Sequence, residues 1–224
     1  MKIKYLGHSS FKITGKSQFG EEVTLITDPF NTKEVGLNYP KQAADVVTLS
    51  HQHGDHNAVE NIEGEPKENY VLIDTPGEFE VKGLRIFGLK SYHDDKHGEE
   101  RGTNVIYVYD FMEARVAHLG DLGHTLESDQ LEQLENIDIL ITPVGGVFTI
   151  NPKTAVEVIE DLSPMVTIPM HYKTPKHSAT FDQLATLEDF IKEVGAGNVE
   201  PQKELSIKSH NDLDQMNNIF PLAI

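Results

Sequence analysis

Hydrophobic and polar residues alternate along the first 120 residues in the way typical of β-strands. Glycine-containing turns separate these short apolar runs, many of which are rich in β-branched residues. The predicted strands are Ile3–Leu6, Phe11–Thr14, Val23–Thr27, Asp45–Leu49, Tyr70–Ile73, Phe79–Val81, Leu84–Leu89, Val105–Tyr109 and Arg115–Leu119.

After residue 120 the pattern changes to helices that alternate with strands. Asn151 followed by Pro152 predicts a helix that ends at Leu162, and the capping-box pattern Thr180-x-x-Gln183 predicts another that ends near Gly195. The other predicted elements are a helix from Ser128 to Leu134 and strands at Asp138–Thr142, Met165–Met170, Leu205–Ile207 and Ile219–Leu222. Two strand-rich halves with helices attached predict an α/β (α+β) sandwich in one domain over residues 1–224.

The composition excludes several kinds of site and partner. The absence of cysteine excludes disulfides, thiolate metal sites, iron–sulfur clusters and a cysteine nucleophile. The 36 acidic and 19 basic residues give a net charge of −17, which would repel phosphate backbones and anionic lipids. We therefore expect a small-molecule substrate and neither nucleic acid nor a membrane as a partner. The lack of an apolar leader or span favours a cytoplasmic location, and the oligomeric state is left open.

Three of the eleven histidines fall within six residues. His51, His53, Asp55 and His56 directly follow the predicted buried strand Asp45–Leu49. Alternation along an extended segment would place His51 and His53 on the same side. Because neutral imidazole and carboxylate are usual ligands of borderline divalent metals, the cluster predicts a metal site, with a histidine-rich surface loop as the alternative.

Further candidate residues lie just beyond other predicted strands. His93, Asp121 and His171 each follow a strand end, where loops collect functional groups on a rigid scaffold. His118 lies three residues before Asp121, where it either supports the site or is a core histidine satisfied by the backbone. His8 is a candidate for contact with substrate or for support of the metal ligands. The histidines predicted to be solvated, in polar stretches, are His97, His177 and His210.

These residues together resemble the metallo-β-lactamase fold hydrolases. The H-x-H-x-D-H signature of that family is matched in full, an aspartate ends an upstream strand, and the later histidine, aspartate and histidine come in the family's order. The matching residues are His51, His53, Asp55, His56, Asp28, His93, Asp121 and His171. The segments Gly7–Phe11 and Ile168–Tyr172 look more particularly like the branch that contains ascorbate-6-phosphate lactonase and small uncharacterised metal-dependent hydrolases.

The resemblance implies a four-layer αββα sandwich with two divalent metal ions in a cleft at the sheet edges. The implied ligands are His51, His53 and His93 for one ion, Asp55, His56 and His171 for the other, and Asp121 with a hydroxide as bridges. Asp28 would accept a hydrogen bond from a ligand histidine and fix its tautomer, or would simply be a turn residue before Pro29. Asp55 and Asp121 are the predicted catalytic residues, because they would hold the metals of the nucleophile and pass its proton onward.

The sequence leaves open which metal binds and which residues contact the substrate. Zinc suits nitrogen and oxygen ligands, but manganese, iron or nickel also suits a site without sulfur. Arg101 or Lys173 is predicted to anchor an anionic substrate group through charge-assisted hydrogen bonds. An ion pair with Glu99, Glu100 or Asp94 is the competing interpretation.

The function predicted from these features is a binuclear metal-dependent hydrolase. A bridging hydroxide would attack a lactone, ester, amide or phosphodiester bond of a small metabolite. The metabolite would carry a negative charge if a basic side chain of the protein binds it. The alternatives are a metal-stabilised binding or sensor module without turnover, and a nuclease of the same superfamily, which would need an electropositive groove. A di-iron oxidoreductase of the superfamily would carry a glutamate where His53 stands, together with a flavin domain.

Overall fold

The computed structural model describes residues 1–64 and 69–224, and the strands in this part of the chain form two six-stranded sheets and one small sheet. The strands are β1 (Lys2–Gly7), β2 (Ser10–Lys16), β3 (Glu22–Thr27), β4 (Gln42–Ala44), β5 (Val46–Thr48), β6 (Ile62–Gly64), β7 (Val71–Ile73), β8 (Gly77–Val81), β9 (Leu84–Tyr92), β10 (Thr103–Asp110), β11 (Arg115–His118), β12 (Ile139–Pro143), β13 (Val166–Met170) and β14 (Leu205–Ser206). The helices are α1 (Thr32–Val35), α2 (Ser128–Gln133), α3 (Pro152–Leu162) and α4 (Leu187–Val194), with 3₁₀ turns at Val59–Asn61, Ala179–Phe181 and His210–Gln215. Sheet 1 has the order β14-β1-β2-β3-β5-β7, sheet 2 has the order β13-β12-β11-β10-β9-β8, and β4 pairs with β6.

The strand directions bring many chain segments to one edge of the sandwich. β3, β5 and β7 are parallel in sheet 1, and β11, β12 and β13 are parallel in sheet 2. β1 and β9 run in these same directions, because each is two antiparallel steps away from a parallel strand. The two sets of carboxyl ends lie together, since the amide of His171 after β13 donates to the carbonyl of His8 after β1 at 2.9 Å.

The interior between the sheets is apolar and fully enclosed. Phe11 and Leu25 of sheet 1 and Tyr109 of sheet 2 have no exposed surface and belong to one hydrophobic cluster. The hydroxyl of Tyr109 lies 2.7 Å from Oγ1 of Thr48, which gives this buried polar group a partner across the sheets. Burying the two apolar sheet faces against each other supplies the main stabilisation of the sandwich.

Helical segments cover the outer faces of the sheets. Every residue of β12 and β13 is buried, and α3 and α4 pack in the same cluster through residues such as Val158 and Phe190. On sheet 1, Ile26 and Val47 belong to a second cluster that includes Val35 of α1. This arrangement confirms the predicted α/β fold class. Within the described residues, none of the helices combines the length and apolarity that a bilayer crossing requires.

The largest difference from the predicted elements concerns the start of α4. Thr180 lies in a 3₁₀ turn, and the helix begins seven residues later, at Leu187. Its cap is Thr186, whose Oγ1 accepts from the amide of Asp189 at 3.2 Å while the Asp189 carboxylate accepts from the Thr186 amide at 2.8 Å. A charged carboxylate makes this the stronger box, so the predicted start at Thr180 is wrong, whereas the predicted end at Gly195 is confirmed.

Shorter elements also differ. The helix α1 and the β4–β6 pair are not visible in the sequence pattern, because each has only three or four residues. The predicted strand Ile219–Leu222 makes only isolated bridges, Thr167 to Ile219 and Gln202 to Leu222, and is wrong as a strand. The cap of α2 is Glu127 rather than Ser128, which is the first helical residue.

Candidate metal centre

All seven predicted ligands come together where the strands of both sheets end. Their ligand atoms form groups whose members lie within 4.8 Å of one another. The groups are His51, His53 and His93, called here the outer group; His8, Asp55, His56 and His171, called the inner group; and His51, His56 and Asp121, which joins the two. Apart from His8, the outer and inner groups are the two sets that the resemblance implies.

Asp121 lies between the two groups. Its Oδ2 is 3.2 Å from Nε2 of His56, 3.3 Å from Nε2 of His171 and 3.4 Å from Nε2 of His93. Ligands at about 2.0–2.1 Å from a tetrahedral zinc ion lie about 3.3 Å from each other. The spacing around Asp121 is therefore compatible with side chains arranged about divalent cations.

Buried polar atoms without hydrogen-bond partners give a second, independent indication of a metal site. Within the described residues, several atoms of the cluster have no hydrogen-bond partner. They are Nε2 of His51 and of His56, both ring nitrogens of His171, Nδ1 of His93 and of His8, and Oδ1 of Asp121. An unpaired buried polar group costs about 1–3 kcal/mol, and a bound cation would give the atoms that face it a partner. The residues present fit a divalent metal.

Asp28 orients the ligand histidines through hydrogen bonds. Its Oδ1 accepts from the amide of Ser50 at 2.7 Å, and its Oδ2 accepts from the hydroxyl of Ser50 at 2.6 Å and lies 3.0 Å from Nδ1 of His56. The same hydroxyl lies 2.9 Å from Nδ1 of His51. These contacts place a proton on Nδ1 of both histidines and leave each Nε2 as the metal-facing lone pair.

Two of the histidines and Asp121 have the charge states that metal binding requires. Burial lowers the pKa of His51 to about 3 and that of His8 to about 3, so both imidazoles are neutral at pH 7. Burial alone would raise the pKa of Asp121, but His171 and His56 hold it well below its ordinary value. Burial alone would lower the pKa of His56, but the carboxylates of Asp121 and Asp55 hold it well above its ordinary value, so a metal ion bound at this imidazole would displace a proton.

His118 is fully buried, and backbone groups occupy both of its ring nitrogens. Nε2 lies 2.8 Å from the carbonyl of Ser9, and Nδ1 accepts from the amide of Gly120 at 3.2 Å. This is the arrangement of a satisfied core histidine, and its link to Asp121 runs only through the adjoining backbone. Asn104 has the more direct contact, because its Oδ1 accepts from the amide of Asp121 at 2.9 Å.

His8 lies deeper than a substrate contact would. Its side chain has no exposed surface, and its Nε2 is 3.1 Å from Oδ2 of Asp55. His177 also differs from its prediction, because it is half-buried rather than solvated, 5.6 Å from His8 between ring centroids. Both residues are brought in by the polar segments that follow β1 and β13, where a pattern of hydrophobicity carries no signal.

Three residues of the site have left-handed backbone conformations. The φ values of His8, Asp28 and His171 are 56°, 38° and 53°, and each of these residues is the first one after a strand of the sandwich. Aspartate and histidine enter this region more readily than most residues, and such conformations cluster at functional sites. The local turn re-aims each side chain from the sheet toward the cluster.

A groove of about 550 Å³ opens beside the outer group. Its lining includes His51, His53, Lys90 and Arg101. The Arg101 guanidinium lies 5.8 Å from the ring centroid of Phe148 and, within residues 1–64 and 69–224, has no carboxylate in ion-pair range. The predicted competing ion pair is therefore not formed in this part of the chain.

A single carboxylate organises the loop that carries Arg101. Asp94 accepts backbone N–H groups from Lys96, Gly98, Glu100 and Arg101 at 2.7–3.0 Å. These hydrogen bonds stabilise the charged form and lower the pKa of Asp94 to about 2. Asp94 thus pairs with the backbone of the loop rather than with the guanidinium.

Lys173, the other predicted anchor, has a different partner. Its Nζ donates to the carbonyl of Asp182 at 2.9 Å and to Oδ1 of the same residue at 2.8 Å. Its side chain lines a separate groove with Tyr172 and Pro175. The structure thus gives this ammonium a carboxylate of its own and does not place it in the groove beside the outer group.

Sequence and structure comparisons assign this chain to a family. Residues 2–171 match the β-lactamase superfamily domain. A UPF0173 metal-dependent hydrolase of Methanopyrus kandleri is 30% identical over 200 residues, which cover 78% of this chain and 85% of that protein. One from Thermococcus onnurineus is 30% identical over 218 residues, which cover 87% and 92%.

Solved structures agree with this assignment. A candidate Zn-dependent hydrolase of the metallo-β-lactamase superfamily from Thermotoga maritima superposes with a TM-score of 0.77 at 34% identity, covering 99% of this chain and 97% of that one. An isothiocyanate hydrolase from Delia radicum gut bacteria has a TM-score of 0.67 over 100% of this chain and 96% of its own, but at 13% identity it shows the fold alone. The chain therefore belongs to the metallo-β-lactamase superfamily and is a metal-dependent hydrolase related to the UPF0173 proteins.

Proposed function

We propose that this protein is a binuclear hydrolase whose two divalent ions are bound by the outer and inner groups and share Asp121. The observation that carries the proposal is the position of Asp121, whose Oδ2 lies 3.2–3.4 Å from histidines of both groups. Zinc is the favoured ion for the outer group, which offers three imidazoles as in catalytic zinc sites, while manganese, iron or nickel also suits these nitrogen and oxygen ligands.

Two adjacent divalent ions, when bound, supply a water nucleophile of lowered pKa and polarise the scissile bond. Residues of this chain orient the metal ligands and carry the released proton. Asp28 and Ser50 fix the tautomers of His56 and His51. Asp55, the partly exposed carboxylate of the cluster at 16%, would pass a proton released during hydrolysis onward to solvent.

The groove beside the outer group supports a small, anionic metabolite as the substrate. Its volume of about 550 Å³ is within the usual range for small-molecule sites, roughly 300–1,000 Å³. Lys90 and Arg101 line it next to His51 and His53 together with one carboxylate, that of Asp74, so the lining carries a net positive charge in an otherwise acidic protein. A lactone, ester, amide or phosphodiester with a carboxylate or phosphate substituent has this chemistry.

Metal analysis tests the binuclear assignment. Purified protein should contain about two divalent ions per chain, and the His51→Ala variant should contain less. Removing metal with a chelator should abolish hydrolysis of a panel of lactones, esters, N-acyl compounds and phosphodiesters, and added metal should restore it. Native protein that folds and turns over a substrate with one ion or none would contradict the proposal.

The Arg101→Ala variant tests the anionic substrate. We expect KM for an anionic substrate to rise about 10–100-fold with little change in kcat, because a hydrogen bond to a charged group contributes about 1.5–3 kcal/mol. Arg115→Ala is the matched control, since this arginine packs on the ring of Phe87 at 5.9 Å in the same way. An unchanged KM in Arg101→Ala would remove the anchoring role.

A further inference from the structure

The inner and outer groups differ in their access to solvent. In the outer group His53 is exposed, and His51 and His93 retain 8% and 3% exposure. In the inner group His56 and His171 have no exposed surface. Only the outer group borders the groove, and Asp55, whose side chain is 16% exposed, is the one member of the inner group with access to solvent.

His8 lies against the other members of the inner group and does not line the groove. Its ring centroid lies 4.1 Å from that of His171 and 5.2 Å from that of His56, and its Nε2 is 3.1 Å from Oδ2 of Asp55. All four residues offer a ligand atom within 4.8 Å of the others.

The backbone of His8 is fixed at two points. Its carbonyl accepts the hydroxyl of Tyr5 at 2.7 Å and the amide of His171 at 2.9 Å. The edge of Phe181 packs against its ring, with centroids 4.9 Å apart. These contacts restrict the position of the side chain, and such pre-organisation is what a metal ligand needs.

We propose that His8 is an additional ligand of the inner metal ion. The inner ion would then have five side-chain donors, three imidazoles and the carboxylates of Asp55 and Asp121. This inference rests on the proposed function, because it presumes that the inner group binds metal. It adds a donor that the family signature does not contain.

The donor number has a consequence for the metal. A closed zinc site typically has four tetrahedral ligands, so five side chains plus one solvent oxygen favour an ion that takes octahedral coordination. Among the ions that suit mixed imidazole and carboxylate ligands, these are manganese, iron and nickel. We expect the inner group to prefer one of them while the outer group, with three imidazoles, retains zinc.

An alternative role for His8 is to orient Asp55 by donating from Nε2. Two variants separate the roles. His8→Phe keeps a ring of similar shape without any nitrogen, whereas His8→Gln keeps an N–H that can donate to Asp55 but is a poor metal ligand. His177→Gln is the matched control, because His177 packs beside His8 but belongs to none of the ligand groups.

The experiment measures metal content and chelator competition with manganese, nickel and zinc in the purified variants, after thermal unfolding has shown that each is folded. We expect both His8 variants to keep the outer ion and to bind the inner one more than about 100-fold more weakly, beyond the roughly 10–100-fold typical of a residue that only orients a ligand. The preference for manganese or nickel over zinc should disappear as well. His177→Gln should bind both ions as the wild type does.

Two results would overturn the inference. Wild-type affinity in His8→Gln would show that a hydrogen bond to Asp55 is sufficient, and wild-type affinity in His8→Phe would show that His8 is not needed. Both leave the binuclear proposal intact, since two ions are still bound. If the wild type itself binds no second ion, the proposed function fails and the His8 ligand fails with it.

Discussion

An Asp121→Asn variant should lose at least one of its two metal ions and about a thousandfold or more of its hydrolytic activity. The carboxylate is the only anionic group within 3.4 Å of histidines from both groups in the described structure. Replacing it with an amide removes the charge that offsets two divalent ions. Metal ions contribute several kcal/mol to the stabilisation of a hydrolytic transition state, and each 1.4 kcal/mol corresponds to a tenfold change in rate.

Metal content per chain and kcat/KM for any substrate that the wild type turns over would measure this effect. Asp161→Asn provides a control with the same change in charge, because Asp161 is exposed on α3. Restoring activity with excess metal would separate weak binding from a lost catalytic group. An Asp121→Asn protein with two tightly held ions would refute the bridging position.

Replacing Asp28 with asparagine should weaken metal binding about 10–100-fold, as expected for a residue that orients a ligand histidine. An asparagine side chain offers one acceptor oxygen where the carboxylate offers two, so one of the two hydrogen bonds from Ser50 is lost. Its NH₂ group would also face the Nδ1–H of His56. Unfolding should also become easier by about 1–3 kcal/mol, because buried donors lose their acceptor. Asparagine tolerates the left-handed backbone at φ 38°, so the fold itself should persist.

Asp138→Asn separates the two effects of this change. Asp138 also accepts a backbone amide, that of Arg115 at 2.7 Å, and it contacts Nε2 of His210 at 2.9 Å. It precedes β12 and so lies at the opposite edge of the sheet from the metal centre. We expect Asp138→Asn to lower the unfolding temperature without changing metal affinity. Equal losses of metal affinity in both variants would mean that Asp28 acts only through stability.

The grouping of the predicted ligands illustrates what a sequence can reveal about such a site. His51, His53 and His56 are adjacent in the chain, so their spacing alone indicates a shared site. Asp121 and His171 are distant, but both follow strands, and parallel strands end at one edge of a sheet. Periodicity predicts the strands, the strands predict the edge, and the chemistry of the side chains predicts what they do there.

The residues that the sequence places wrongly or weakly are those fixed by long-range packing. His8 precedes the signature by more than forty residues and enters the inner group only because β1 and β13 end side by side. His177 lies in a polar turn whose burial depends on Phe181, 5.5 Å away between ring centroids. The start of α4 depends on competition between two caps, which local preferences alone do not decide.

The loop organised by Asp94 has a consequence for the design of new specificities. Its four backbone hydrogen bonds to one carboxylate fix the residues from Lys96 to Arg101 before any substrate arrives, so binding need not bear the cost of ordering them. The carboxylate thus holds most of the segment in shape, and the amide of His93 closes it by donating to the carbonyl of Gly102 at 3.1 Å. Exchanging it as a block, with the aspartate retained, should change the charge presented to substrates while leaving the hydrolytic centre assembled.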